Sequence, residues 1–243
     1  MSGLSGRLLT VILHYGDARS TARLHRQFHE RPAGGEVRVL DNAAPEPYPQ
    51  AWKRLETNIY WAGALAHTLE LAEAEGFSHL WFLNNDIVFL RSGPLMGYAW
   101  HRLRRIEAKV GRVAVYSPSV TANPYHGHMV RLESGDFRTV SYVDGIAPLI
   151  SLAYWREAGL DWLDNPIGYG VDVAFTLKAP RMGWNLAVDH TLVMRHRYHE
   201  TARSVPGFMY EAARLEESFL SARLGPDHRT LLHRLSLEFS EHS

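Results

Sequence analysis

The chain of 243 residues contains no cysteine, so disulfides and thiolate-ligated metals are excluded and any metal chemistry must fall to His, Asp or Glu. It also lacks a charge imbalance. The 26 basic residues stand against 26 acidic ones, which leaves no overall field to draw in nucleic acid or an anionic membrane. Long apolar runs are missing near the N-terminus: Leu8 to Leu13 is shorter than the apolar core of a secretory signal and far shorter than a bilayer span. These absences predict a soluble, cytoplasmic protein with no transmembrane segment and no nucleic-acid partner. There is no internal repeat and no low-complexity segment. What remains is globular composition, 46% hydrophobic and 21% charged, enough to bury a full core in one domain with a small appendage.

Apolar runs alternate with helical periodicity through the first half. Leu8 to Leu13 reads as a buried strand, about Ala18 to Glu30 as a helix, and Val37 to Leu40 as a second strand closing on Asp41 and Asn42. A proline-rich loop from Ala44 to Pro49 leads to helical character over Leu55 to Glu75, stopped by Gly76, and then to a third strand at Leu80 to Leu83. Further on, a helix is expected over Met96 to Val110 with a solvated basic face at Arg102, Arg104 and Arg105. Strands are expected at Val113 to Tyr116, Thr139 to Val143, Ala147 to Tyr154 and Asn185 to Val188, with a helix over Val171 to Met182. Such alternation indicates an α/β fold with a mostly parallel sheet. Two amphipathic helical stretches, Gly207 to Gly225 and Pro226 to Phe239, form a C-terminal tail. We expect a main domain over 1–205 and a helical extension over 206–243, whose apolar face packs on that domain or pairs two copies of the chain.

The chemistry centres on Asn84-Asn85-Asp86, set between Leu80-Trp81-Phe82-Leu83 and Ile87-Val88-Phe89-Leu90. Polar residues at the carboxyl end of a buried strand emerge where open α/β sheets bind ligands. One carboxylate flanked by amides suits a Mg²⁺- or Mn²⁺-type ion already partly neutralised by substrate phosphates. A turn held by Asn and Asp side chains is the alternative.

In order along the chain, the motifs resemble the family 2 glycosyltransferases of GT-A fold, which move a sugar from a nucleotide diphosphate to an acceptor hydroxyl. The resemblance runs over roughly Leu8 to Thr201. Thr10 through Asp17 is similar to that family's first strand and nucleotide-contacting loop, and Val39 to Asn42 to its second strand. Thr57 to Ala64 is similar to its segment of Asn and small residues, and Phe82 to Asp86 to a variant Asp-x-Asp motif. Gly168 to Ala174, followed by Gly183-Trp184, looks like its Glu-Asp motif, and Val188 to His196 like a stretch ending in a metal-binding His.

The resemblance implies a single GT-A domain and an inverting, metal-dependent transfer from a nucleotide-diphosphate sugar, UDP-linked above others, to an unidentified hydroxyl acceptor. It places donor contacts at His14, Tyr15, Asp17, Asp41, Asn58, Asn84, Asn85 and Asp144, metal ligation at Asp86 and His196, and the general base at Asp172. Mn²⁺ or Mg²⁺ is the implied cofactor. The chain departs from the pattern at several positions: Tyr60 stands where Gly is usual, Leu65 and Ala66 where an Asn pair is usual, the neutral Asn84 at the first position of the metal motif, Val171 where the later motif has Glu, and Ala174 where it has a second acid.

Several residues keep two readings. Asp172 can serve as a base or cap its helix. His199 is a fallback for His196, three positions away. His126 and His128 belong to an acceptor loop or a polar turn, and Trp155, Trp162 and Trp184 to an acceptor platform or the core. A metal-dependent hydrolase of phosphate esters or sugar nucleotides, and a non-catalytic nucleotide-sugar binder, remain as rival functions.

Overall fold

The computed structural model describes residues 6–28, 35–159, 164–198 and 206–243. All seven residues of strand β1 (Leu8–His14) are buried, as an apolar run without alternation requires of a strand covered on both faces. It pairs in parallel with β2 (Gly35–Asp41) on one side and, on the other, with the strand His79–Asn84, numbered β4 after the short β3 (Lys53–Arg54) beside β2. His14 lies opposite Asp41 and Leu13 opposite Asn84. The polar residues that close these strands therefore line up along one carboxyl edge. Asn85 and Asp86 turn directly into β5 (Ile87–Phe89).

Helix α1 (Ala18–Gln27) begins at Asp17, whose carboxylate accepts the Arg19 amide at 3.0 Å. Helix α2 (Tyr60–Ala74) starts later than the expected Leu55. The Leu55 amide is taken by the Asp41 carbonyl at 2.8 Å, and Asn58 Oδ1 accepts the Tyr60 amide at 2.8 Å. Both bonds hold this stretch in extended and turn conformations.

The second half comprises α3 (Leu95–Val110), β6 (Val113–Val120), β7 (Phe137–Val140), β8 (Leu149–Ser151), α4 (Leu152–Ala158), α5 (Val171–Thr176) and β9 (Asn185–His196). The sheet runs β10-β7-β9-β6-β8-β4-β1-β2-β3, with β5 attached to β9 and β10 spanning Phe239–His242. Most strands share one direction; β8 and β7 are inserted against it. The result is the expected mixed α/β domain with a mostly parallel central sheet.

Local expectations are corrected in four places. Ala147 to Tyr154 divides into β8 and the start of α4. The Val171 to Met182 helix ends at Thr176, with a separate 3₁₀ turn opening at Pro180, whose ring cannot donate to a continuing helix. The strand expected at Asn185 to Val188 runs on to His196, bulged against β6 where Pro118 faces Asp189 and Ser119 faces Val193; Pro118 lacks the ladder donor there. Arg102 is no solvated residue. It is 4% exposed and donates to both oxygens of Asp189 at 3.1 Å and to Asp136 at 2.6 Å, while the Tyr116 hydroxyl donates to Asp189 at 2.7 Å.

The tail forms α6 (Phe208–Leu224) and α7 (His228–Ser236) and then β10, which pairs with β7. Residues 206–243 thus contribute a strand to the main sheet. No described helix is long and apolar enough to cross a membrane.

Candidate active site

Asp86 and His196 are brought together by pairing of β5 with β9, in which Ile87 lies opposite His196 and the Arg197 amide donates to the Asp86 carbonyl at 3.0 Å. Their side chains meet with Oδ1 and Nε2 3.1 Å apart, and both are largely enclosed. His196 Nδ1 is buried without a partner. The Tyr198 ring stands 4.2 Å from the His196 ring, its hydroxyl donating to the Ala122 carbonyl.

Adjacent ligands of an octahedral ion with bonds of about 2.1 Å stand about 3 Å apart. The Asp86–His196 separation fits such an ion. Among the described residues no group of three His, Asp or Glu gathers at one point, so water and substrate oxygens would complete the shell, as Mg²⁺- and Mn²⁺-type ions favour. His199 and Trp162 lie outside the described residues.

Asp172 sits in the first turn of α5, one residue past the turn's start, with Gly170 rather than Asp172 at the cap position. Its Oδ2 accepts the Gly145 amide at 2.6 Å and its Oδ1 the Val173 amide at 2.9 Å. Asp144, one residue before Gly145, is 5% exposed and accepts a 2.6 Å bond from Asn123 Nδ2. Burial, and next the Asp144 charge, push the Asp172 carboxyl up to about 7. Burial also raises Asp144. Gly145 is required by proximity rather than by a hairpin: a Cβ there would fall 2.5 Å from the Trp61 ring and 3.2 Å from Asp172 Oδ2. The Asn84 amide donates to the Ile146 carbonyl at 3.0 Å, which ties this acidic turn to the end of β4.

Other expected donor residues divide into two groups. His14, Asp41 and Asn85 are buried shelf residues. His14 bonds Thr21 Oγ1 and the Glu46 carbonyl, each at 2.7 Å. Asp41 accepts from the Ala44 and Tyr48 amides and from Arg54. Asn85 donates to the Tyr15 carbonyl and Thr21. Asp17 caps α1. Tyr15, Asn58 and Asn84 are partly open; Asn84 Oδ1 accepts the Trp61 indole N–H at 3.1 Å.

Sequence reasoning missed Trp61, Asn42, Asn123 and Glu216, and only contacts between distant segments reveal them. Helix α6 turns Met209, Glu216 and Leu220 toward the start of α5: Met209 sulfur lies 4.0 Å from the Tyr169 hydroxyl, and Leu220 lies against Gly170. Glu216 adds to the raising of Asp172. Of the paired readings, His128 is buried and bonded to the Tyr142 carbonyl, while His126 faces Asp144. Trp155 and Trp184 belong to the core.

No family model matches the chain. The uncharacterized protein Rv1525 of Mycobacterium tuberculosis (strain ATCC 25618 / H37Rv) is 28% identical over 178 residues, covering 70% of this chain and 67% of that protein, and the uncharacterized protein Mb1552 of Mycobacterium bovis matches to the same extent. Among solved structures, GalNAc-T7 with UDP, GalNAc and Mn²⁺ superposes with a TM-score of 0.63 at 13% identity over 93% of this chain. The chain spans about half of it, 51%. S. aureus TarS 1–349 in complex with UDP gives 0.56 at 14% identity, covering 94% of this chain and 70% of that one. At such identities the likeness establishes the fold, that of GT-A glycosyltransferases.

Proposed function

We propose that the protein is a metal-dependent, inverting glycosyltransferase that moves a sugar from a nucleotide-diphosphate donor, UDP-linked by analogy with its structural neighbours, to an acceptor hydroxyl. One observation carries the reading. A carboxylate–imidazole pair spaced for a divalent ion and a half-buried carboxyl raised to about 7 share the carboxyl edge of a sheet whose fold is that of UDP-binding transferases.

Asp86 and His196 would hold Mn²⁺ or Mg²⁺, which when bound offsets charge on the departing diphosphate. Asp172 takes the acceptor's proton. Its raised pKa keeps it basic enough to do so near neutrality, where the best general bases titrate. The Gly145 and Val173 amides fix its carboxylate in place, so the base needs no reorganisation. Trp61 holds Asn84, an expected donor contact, through its indole N–H. Carboxylates absent at Val171 and Ala174 leave the acceptor side to Glu216 and Tyr169. Direct attack by the activated hydroxyl opposite the leaving group inverts the anomeric centre.

Calorimetric titration with UDP in the presence and absence of Mn²⁺ tests the donor half of this reading. Saturable, Mn²⁺-dependent binding supports it, and absence of binding in both conditions removes it.

A further inference from the structure

Tyr60 holds a left-handed backbone, φ +54°, at a position where glycine would adopt it without steric cost. A bulky residue persists there only when its surroundings over-determine it. They do: Asn58 Oδ1 accepts the Tyr60 amide at 2.8 Å, Asn42 Nδ2 donates to the Tyr60 carbonyl at 3.3 Å, and Asn42 Oδ1 accepts the Ile59 amide at 3.0 Å. Asn42 Nδ2 also donates to Asn58 Oδ1 at 2.8 Å.

All this fixing serves a ring that packs into no core. Tyr60 is 38% exposed. It stands between Asn42, just past the end of β2, and Trp61, whose indole binds Asn84 at the end of β4. Asp41, one of the expected donor contacts at this edge, has both oxygens occupied and no exposed surface. Tyr60, tied by its backbone to the Asn42 that follows Asp41, brings an exposed aromatic side chain to this edge.

We propose that Tyr60 is a nucleoside-contacting residue whose ring stacks on the base of a nucleoside diphosphate, supplying the recognition that the enclosed Asp41 does not. The inference rests on the nucleotide-sugar reading above. Stacking on an aromatic face uses only the π-surface that every base has, so the ring contributes affinity for a nucleoside over a bare diphosphate.

The test is calorimetry on the full chain with Mn²⁺, using UDP and inorganic pyrophosphate as separate probes, for the wild type, Tyr60→Phe, Tyr60→Ala and Tyr60→Gly. Removing the ring should weaken UDP roughly 10-fold or more, the usual scale of one base–aromatic stack, and leave pyrophosphate unchanged. Tyr60→Phe should keep UDP affinity, and Tyr60→Gly should melt no lower than the wild type despite its weaker UDP binding. Unchanged UDP affinity in Tyr60→Ala overturns the inference while leaving the nucleotide reading intact. Parallel loss of UDP and pyrophosphate also overturns it, because the ring would then act only by shaping the backbone. A wild type that binds neither probe removes the nucleotide reading and this inference with it.

Discussion

Asp172 Oδ2 accepts a 2.6 Å hydrogen bond from the amide of Gly145, the residue that follows the buried Asp144. That bond favours the charged form, but burial and next the Asp144 charge outweigh it, so the site retains a proton until near neutrality. Asp172→Asn should lower turnover by about 10²–10⁴-fold, the usual contribution of a positioned base, and leave UDP affinity intact, since the diphosphate is bound elsewhere. Wild-type turnover should rise with pH through an inflection near 7. Stability should run the other way: an acid with a raised folded pKa contributes most below its ordinary value of 3.8 and loses that contribution as pH climbs toward 7. Relative to the wild type, the Asn variant should therefore gain stability between about pH 4 and about pH 7 in urea melts.

The Asp86–His196 pair predicts a different signature. Asp86→Ala and His196→Ala should each weaken Mn²⁺-dependent UDP binding by at least the roughly 10- to 100-fold that loss of a metal ligand's outer-shell partner costs. Calorimetry with and without Mn²⁺ checks this, and binding that stays metal-dependent at wild-type strength in both variants removes the pair from the metal site.

Gly145→Ala should be damaging although it adds a single methyl group. Its Cβ would meet the Trp61 ring at 2.5 Å, so the variant should lose about 1–3 kcal/mol, as overpacking does. Displacing Trp61 disturbs Asn84 as well, and UDP affinity should fall with stability. Combining the change with Trp61→Leu should recover part of the stability loss, because the two side chains compete for one volume. Additive losses in chemical denaturation would contradict the packing account.

Truncation after Pro206 removes both the face of α6 that lies on Gly170 and the strand β10 that pairs with β7. The shortened chain should aggregate or melt well below the full chain in calorimetric scans. A soluble fragment of unchanged melting temperature would show that 206–243 is dispensable.

The strands of the first half were readable because β1 and β4 are buried on both faces and therefore appear as unbroken apolar runs. The later strands were harder. The strand at Asn185 was read only as far as Val188 because the polar Asp189 and His190 follow, whose partners, Arg102 and Glu241, lie far away in the chain. The same distance hid Arg102, whose neighbours Arg104 and Arg105 are exposed as expected. Within the candidate site, Asp86 could be named because it follows the end of a buried strand, whereas His196, Asp144 and Asp172 were placed there by the resemblance. That Asp41 and His14 turn inward could not be read, since strand register sets which end residues are enclosed. Trp61 and Glu216 carry no local signal at all and reach the site only through tertiary packing.

Slow cleavage of UDP-sugars by the protein with Mn²⁺ in water enriched with heavy oxygen tests the central claim most directly, because it reports which bond breaks. A glycosyltransferase using water as a poor acceptor releases UDP and an inverted sugar carrying the heavy oxygen at its anomeric carbon. That is the predicted result. UMP and a sugar phosphate, with the label on phosphorus, would identify a phosphohydrolase instead and contradict the account.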